Sequence, residues 1–174
     1  MIPRPKSDEH AEFYAKYIQR VPEGDLVSLL REQVLETVTL LQDLSPSQAD
    51  YAYAPDKWTI KQVIGHIIDA ERVFLYRALR FARKDPTELA GFDENTWVRN
   101  ATFPTRVLSD LLDELQLVRA STVHFAKNLS AEELASRGTA NGKVVSVRAL
   151  LYIAAGHERH HVALLRERYL SQLT

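Results

Sequence analysis

The feature that most constrains the fold is a set of four long segments in which apolar residues recur every three or four positions. They span about residues 25–44, 58–84, 105–129 and a last segment that begins after Ser146. This spacing places the apolar side chains on one face of an α-helix, and such a face must pack against another element. Four helices of this kind can bury their faces together, so the sequence predicts an all-α fold, a four-helix bundle.

The segments between and before these helices refine the prediction. Residues 7–20 predict a short N-terminal helix. Residues 85–104 show no clear period, and a connection of this length suggests one long crossover in place of a simple up-down-up-down bundle. No convincing β-strand is predicted, because the run formed by Val144 and Val145 is too short.

Length and composition indicate an ordinary globular protein. With 174 residues, 45% of them apolar and 26% charged, we expect one domain over residues 1–174 with a full core. The net charge of −1 gives no strong field for nucleic acid or an anionic membrane. No apolar run is long enough to span a membrane and the N-terminus has no apolar signal region, so we expect a cytoplasmic protein.

The chain contains no cysteine. This excludes disulfides, thiolate metal sites and a cysteine nucleophile. A metal site would therefore have to use histidine, carboxylate and water as ligands.

Histidines of the last helical segment form a candidate metal site. His157 and His161 are four residues apart, so they lie one above the other within the apolar stripe, whereas His160 lies at its edge. Neutral imidazole is a common metal ligand, and two rings at this spacing can converge on one ion. His66, at the edge of the second long stripe, is the candidate third ligand. The alternative is that these are separately satisfied polar histidines.

The same residues form the sequence HExxH, with His157, Glu158 and His161, which is the spacing of zinc proteases. The context disfavours a protease. Only 13 residues follow His161, which leaves no room for a glutamate ligand on a further helix. No strand precedes the helix to bind a peptide substrate.

Three stretches of the chain also resemble the DinB-like (DinB/YfiT) superfamily: WTIKQVIGHIIDAERVFLYRALR, GFDEN and GHERHHVALLRERY. The resemblance covers nearly the whole chain, and the single histidine followed by HxxxH is its most specific part. It implies a four-helix bundle that binds a divalent ion, zinc or nickel, through His66, His157 and His161. It also implies a homodimer and the transfer of a low-molecular-weight thiol.

Two carboxylates are candidate catalytic residues. Glu71 projects into the middle of the second apolar stripe, where it would either orient a histidine or pair with an arginine, and the arginine is favoured. Asp69 is a weaker candidate for orienting a histidine. Glu158 would be a general base or a structural partner.

Basic and aromatic residues near the helix ends are expected to have structural roles. The basic end of the second long helix is expected to complement the helix dipole and to face solvent; it consists of Arg72, Arg77, Arg80, Arg83 and Lys84. The aromatic residues of the linkers are expected to pack in the core or a dimer rather than to contact substrate; they are Tyr51, Tyr53, Trp58, Phe92 and Trp97.

Three functional hypotheses follow from these patterns. The first is a metal-dependent enzyme that acts on a small molecule, either a transferase of a low-molecular-weight thiol or a related metal-assisted hydrolase. The second is a non-catalytic metal- or ligand-binding stress-response protein, and the third is a structural helical dimer with an adventitious ion. An open coordination position that faces a pocket favours the enzyme.

Overall fold

The computed structural model describes residues 1–173 and confirms the predicted four-helix bundle. The bundle is formed by four long helices: α2 (Leu26–Leu41), α4 (Ile60–Ala82), α6 (Leu108–Ala126) and α8 (Val147–Leu164). Short helices occupy the connections: α1 (Glu12–Ile18), α3 (Pro46–Ala49), α5 (Glu94–Asn100) and α7 (Ala131–Ala135). Shorter helical turns add Ser7–Glu9, Phe103–Thr105, Leu165–Tyr169 and Leu170–Gln172.

Each bundle helix packs against two neighbours, in the order α2, α6, α4, α8 and back to α2. Helices α2 and α4 are therefore diagonally opposed, as are α6 and α8. The connections that cross the bundle are residues 42–59 and 127–146, whereas the long connection 83–107 joins adjacent helices. The sequence predicts one crossover, at residues 85–104. The structure instead has two crossing connections, and neither includes that segment.

The starts of α2, α4 and α8 lie where the sequence predicts them, because polar side chains cap them, whereas α6 begins at Leu108 without a side-chain cap. The Asp25 carboxylate accepts a hydrogen bond from the backbone N–H of Ser28 at 3.0 Å, and the Ser146 hydroxyl accepts one from Ala149 at 3.1 Å. Thr59 opens α4 and Ser130 opens α7, each with a capping box.

The prediction that the chain lacks strands is wrong for one segment. Residues Arg137–Ala140 (β1) and Lys143–Ser146 (β2) form an antiparallel hairpin. Its turn is Asn141-Gly142, and both residues have positive φ, 52° and 67°. This conformation matches the right-handed twist of the two strands and favours asparagine followed by glycine.

The segment 85–104 is also more ordered than its lack of period indicates. It contains α5, whose first turn is capped by the Asp93 carboxylate, an acceptor for the N–H groups of Asn95 and Thr96. Leu89 joins the hairpin through a backbone hydrogen bond to the Thr139 carbonyl at 2.9 Å. The connection is therefore held against the end of the bundle.

Two apolar clusters fill the bundle. Along α4, Ile64 and Ile67 belong to one cluster, and Phe74 and Ala78 belong to the other. The bundle also buries polar side chains, among them those of His66, Glu71, Arg119, His157 and Glu158. Within residues 1–173, no helix is both long enough and apolar enough to cross a membrane.

The predicted N-terminal helix is broken into two pieces, a turn at Ser7–Glu9, which contacts β2, and helix α1, which packs on α8. The Glu9 carboxylate is almost completely buried, where it accepts hydrogen bonds from Arg148 Nε at 2.6 Å and the Ser146 hydroxyl at 2.7 Å. Hydrogen bonding to Arg148 lowers the pKa of Glu9 from 4.5 to about 2. This contact fixes the N-terminal segment to the start of α8.

We expect Glu9→Gln to reduce the unfolding free energy at pH 7 by about 2–3 kcal/mol. Because the pKa is depressed in the folded state, the stabilisation is present above pH 4.5 and is lost as the pH falls through about 2. Urea unfolding at several pH values measures the effect. The exposed Glu12→Gln is the control; equal losses in both variants, or an effect that persists at pH 2, would contradict the assignment.

Candidate metal centre

The structure brings together the three histidines that the sequence analysis selected. His66 projects from α4, and His157 and His161 project from one face of α8, which packs against α4. The Nε2 atom of His157 lies 3.0 Å from that of His66 and 3.1 Å from that of His161. One ligand atom from each residue lies within 4.8 Å of the others.

All three imidazoles are held in the neutral form, which is the form that binds metals. Burial lowers the pKa of His66 from 6.5 to about 4 and that of His161 to about 3. Burial, followed by the two neighbouring imidazoles, lowers the pKa of His157 well below its usual value. The cluster is therefore neutral at pH 7.

Hydrogen bonds alone satisfy this cluster poorly. A neutral ring nitrogen carries either a proton or a lone pair, so Nε2 of His157 cannot donate to one neighbour and accept from the other. When the protons lie on Nδ1, three lone pairs converge instead. This donor set fits a divalent cation with three protein ligands and a further position for water or substrate.

Aromatic side chains pack against two of the three imidazoles. The Trp58 ring lies 4.8 Å from that of His66, and the Phe74 ring lies 5.7 Å from that of His157, measured between centroids. His160 lies outside the cluster, as its position at the edge of the stripe predicts. Its ring packs against Tyr17, and its Nδ1 atom is buried without a hydrogen-bond partner among residues 1–173.

The two candidate catalytic carboxylates face away from the histidines. Glu71 forms a bidentate pair with Arg119 of α6, with both N···O distances 2.8 Å. Glu158 also pairs with Arg119, at 2.7 Å, and accepts hydrogen bonds from Thr37 and Gln33. Arg119 and both carboxylates are at most 2% exposed.

These contacts decide between the alternatives for the acidic residues. Glu71 pairs with an arginine, as favoured, and Glu158 is a structural partner of the same arginine. Asp69 forms an ion pair with Arg72 at 3.7 Å instead of contacting His66. The pairing of Glu71 and Glu158 through one guanidinium on a third helix was missed by the sequence analysis.

Two cavities approach the histidine cluster. The first, about 230 Å³, reaches His161 and is lined by Tyr53, Asp56, Lys57, Trp58, Val63, Asn95, Leu164 and Tyr169. The second, about 260 Å³, reaches His66 and His157 and is lined by Phe13, Tyr14, Tyr17, Ala70, Phe74, Arg77, Gly91, Phe92, Glu94 and Asn141. Both cavities are large enough for a small molecule, and helix α5 contributes a residue to each.

Several structural interpretations of single residues need correction here. Arg77 is only 3% exposed and lines the second cavity, so it does not belong to a solvated basic face. Arg83 and Lys84 do face solvent, as expected, and they form surface ion pairs with Glu133 and Glu132. Tyr53, Trp58 and Phe92 line the cavities in addition to packing against the core.

The three convergent histidines on two facing helices define a helical bundle protein with a candidate metal centre. The model of the DinB superfamily matches residues 29–165, and the chain therefore belongs to this superfamily.

The chain is also similar to curated relatives and to a solved structure. A "Putative metal-dependent hydrolase" of Bacillus mycoides strain KBAB4 is 26% identical over 139 residues, 76% of this chain and 79% of that protein. One of the same name in Bacillus cereus strain B4264 is 23% identical over 163 residues, 92% of this chain and 86% of the relative.

The solved structure is that of YfiT from Bacillus subtilis, described as "a probable metal-dependent hydrolase with an unusual four-helix bundle topology". It superimposes with a TM-score of 0.77 at 20% identity, covering 98% of this chain and 93% of YfiT. This likeness confirms the fold.

Proposed function

We propose that the chain is a metal-dependent enzyme that holds one divalent ion, zinc or nickel, through His66, His157 and His161. The observation that carries the proposal is the convergence of three neutral imidazoles, two buried and one half-buried, beside two cavities. Nitrogen ligands of this type suit zinc and nickel. The names of the relatives, which refer to metal dependence, support the same class.

When bound, the ion would lower the pKa of a water or thiol in its open position. The chain contributes the remaining requirements. Burial keeps the imidazoles neutral, and Trp58 and Phe74 pack against two of the rings and fix their orientation. The cavities admit a small molecule to His161 from one side and to His66 and His157 from the other.

Two reactions fit this site: hydrolysis, with water as nucleophile, and transfer of a low-molecular-weight thiol. We favour thiol transfer, because two cavities reach the same cluster and can hold two reactants. The chain has no cysteine, so the sulfur would come from an external thiol. A zinc-protease mechanism is not supported, because Glu158, its general base, is occupied by Arg119, Thr37 and Gln33.

Metal analysis followed by an activity panel tests the proposal. Untagged protein should contain about one divalent ion per chain. Chelation should leave the helical circular dichroism intact, because the apolar clusters supply a core without the metal. Saturating zinc or nickel should then raise the melting temperature by about 10 °C. Loss of helicity on chelation would instead make the metal structural.

The activity panel compares thiol addition to 1-chloro-2,4-dinitrobenzene with hydrolysis of small esters, lactones and a peptide. We expect consumption of the thiol, lost on chelation and restored by reloading the metal. Ester or lactone hydrolysis with the same metal dependence would identify the hydrolase instead. Stoichiometric metal without any turnover across the panel would favour the non-catalytic binding protein, and absence of stoichiometric metal would refute the proposed site.

A further inference from the structure

Arg77 carries an unneutralised charge in the cavity beside His66 and His157. Its side chain is 3% exposed. Its Nη2 atom donates to the Ala90 carbonyl at 2.7 Å, and its guanidinium lies 5.9 Å from the centroid of the Phe92 ring. Within residues 1–173, no carboxylate forms an ion pair with it, in contrast to buried Arg119, which pairs with two.

A buried guanidinium without a counter-ion is costly, and one carbonyl hydrogen bond offsets little of that cost. The guanidinium has five N–H donors, and the hydrogen bond to Ala90 uses one. The Phe92 ring face stabilises the cation but accepts no conventional hydrogen bond. The remaining donors are thus available to a ligand in the cavity.

The position of Arg77 relates it to the histidines. His66, Ala70, Phe74 and Arg77 recur at helical spacing along α4 and form one wall of the cavity. The α-carbons of His66 and Arg77 are about 16 Å apart along the helix axis, and long side chains on a helix project toward its N-terminus, which for Arg77 is the direction of His66. One small molecule can therefore contact both ends of this wall.

We propose that Arg77 binds the carboxylate of an acidic substrate whose reactive group lies at the histidine cluster. This inference rests on the proposed function and adds the chemical class of the substrate. A guanidinium pairs with a carboxylate through two parallel hydrogen bonds. A dianionic phosphate fits less well, because Arg77 is the only basic side chain among the described lining residues other than the neutral histidines.

The rest of the cavity wall suits an apolar spacer between the two ends of the substrate. The aromatic side chains of Phe74 and Phe92 line the cavity together with the histidines and Arg77. Tyr14 and Tyr17 of α1 line it as well. Glu94 also lines the cavity, and its side chain is exposed. Its negative charge would oppose a second anionic group, which again favours a monocarboxylic acid.

Binding of 4-phenylbutyrate, measured by NMR chemical-shift titration, tests the inference. The apo protein is used first, so that the carboxylate cannot bind a metal, and the zinc-loaded protein second. The parent protein should bind the acid at least tenfold more tightly than 4-phenylbutyramide, with shifts at Phe74 and Phe92. Arg77→Met should lose about tenfold or more of the acid affinity and keep its metal content.

Two matched variants separate anion recognition from a structural role. Arg77→Lys keeps the charge without the bidentate geometry, so it should bind the acid with intermediate affinity, and it replaces Arg77→Met if that variant does not fold. Glu94→Gln should bind the acid as well as the parent protein or better.

Equal binding of acid and amide, unchanged binding in both Arg77 variants, or tighter binding of inorganic phosphate would overturn the inference. A protein that binds the acid through Arg77 but takes up no metal would refute the proposed function and leave the carboxylate site standing. Failure of each proposal can therefore be recognised separately.

Discussion

Replacing Arg119 with methionine is expected to reduce the unfolding free energy by about 3–5 kcal/mol. Arg119 is the largest polar side chain in the core, 1% exposed, and it neutralises Glu71 and Glu158. It also donates to the Leu30 carbonyl at 2.9 Å, so it connects α6 to α2 as well as to α4 and α8. Methionine fills similar space but leaves two buried carboxylates without their cation. The melting temperature should fall by on the order of 10 °C.

The matched control is Arg72→Met. Arg72 also contacts two carboxylates, Asp69 and Glu114, but it is 51% exposed. A solvent-exposed ion pair contributes at most about 1 kcal/mol, so this variant should be nearly as stable as the parent. Guanidinium unfolding of both variants measures the difference. Similar losses at the two positions would show that burial of the Arg119 cluster does not determine its contribution.

A triple variant distinguishes the loss of the Arg119 interactions from the cost of leaving two buried carboxylates without a cation. Arg119→Met combined with Glu71→Gln and Glu158→Gln should recover part of the stability lost by Arg119→Met, because no unpaired carboxylate remains. If the triple variant is instead the least stable, hydrogen bonds in the cluster outweigh the charge effect.

The four bundle helices could be predicted because each displays its own apolar period over more than three turns, and α2, α4 and α8 also start at a capping side chain. Helix α5 could not be found in this way, because seven residues span barely two turns and its buried face includes little beyond Val98. The hairpin had a local signal, Asn141-Gly142, that typically forms a tight turn. Its strands are too short for a period, and they are completed by pairing with Leu89, a contact that sequence spacing does not reveal.

The histidine cluster could be predicted because the two long stripes place each imidazole toward the core. The roles of the acidic residues depended on a contact between distant segments. Glu71 and Arg119 are 48 residues apart, and no local pattern links them. Likewise, Arg77 lies in the last turns of α4, where exposure is usual, and it is buried only because residues 90–92 of the connection cover it.

The largest functional effect is expected from removing any one of the three histidines. His66→Ala, His157→Ala and His161→Ala should each weaken metal binding by more than about 100-fold, since even residues that only support a ligand contribute 10–100-fold. Two ligands would remain, which is too few for a tight site. Competition with a chromophoric chelator measures the affinity, and the metal-dependent turnover should disappear with it.

His160→Ala is the control, because its ring lies on the same helix and packs against His161 without contributing to the cluster. It should retain the full metal content, and any fall in melting temperature would reflect its packing against Tyr17. Circular dichroism of all four variants in the apo state tests whether a variant that no longer binds metal is still folded. Retained binding in His161→Ala, together with loss in His160→Ala, would shift the centre by one residue along α8. The metal centre would then include the His160 ring, which packs against Tyr17 and lies outside the present cluster.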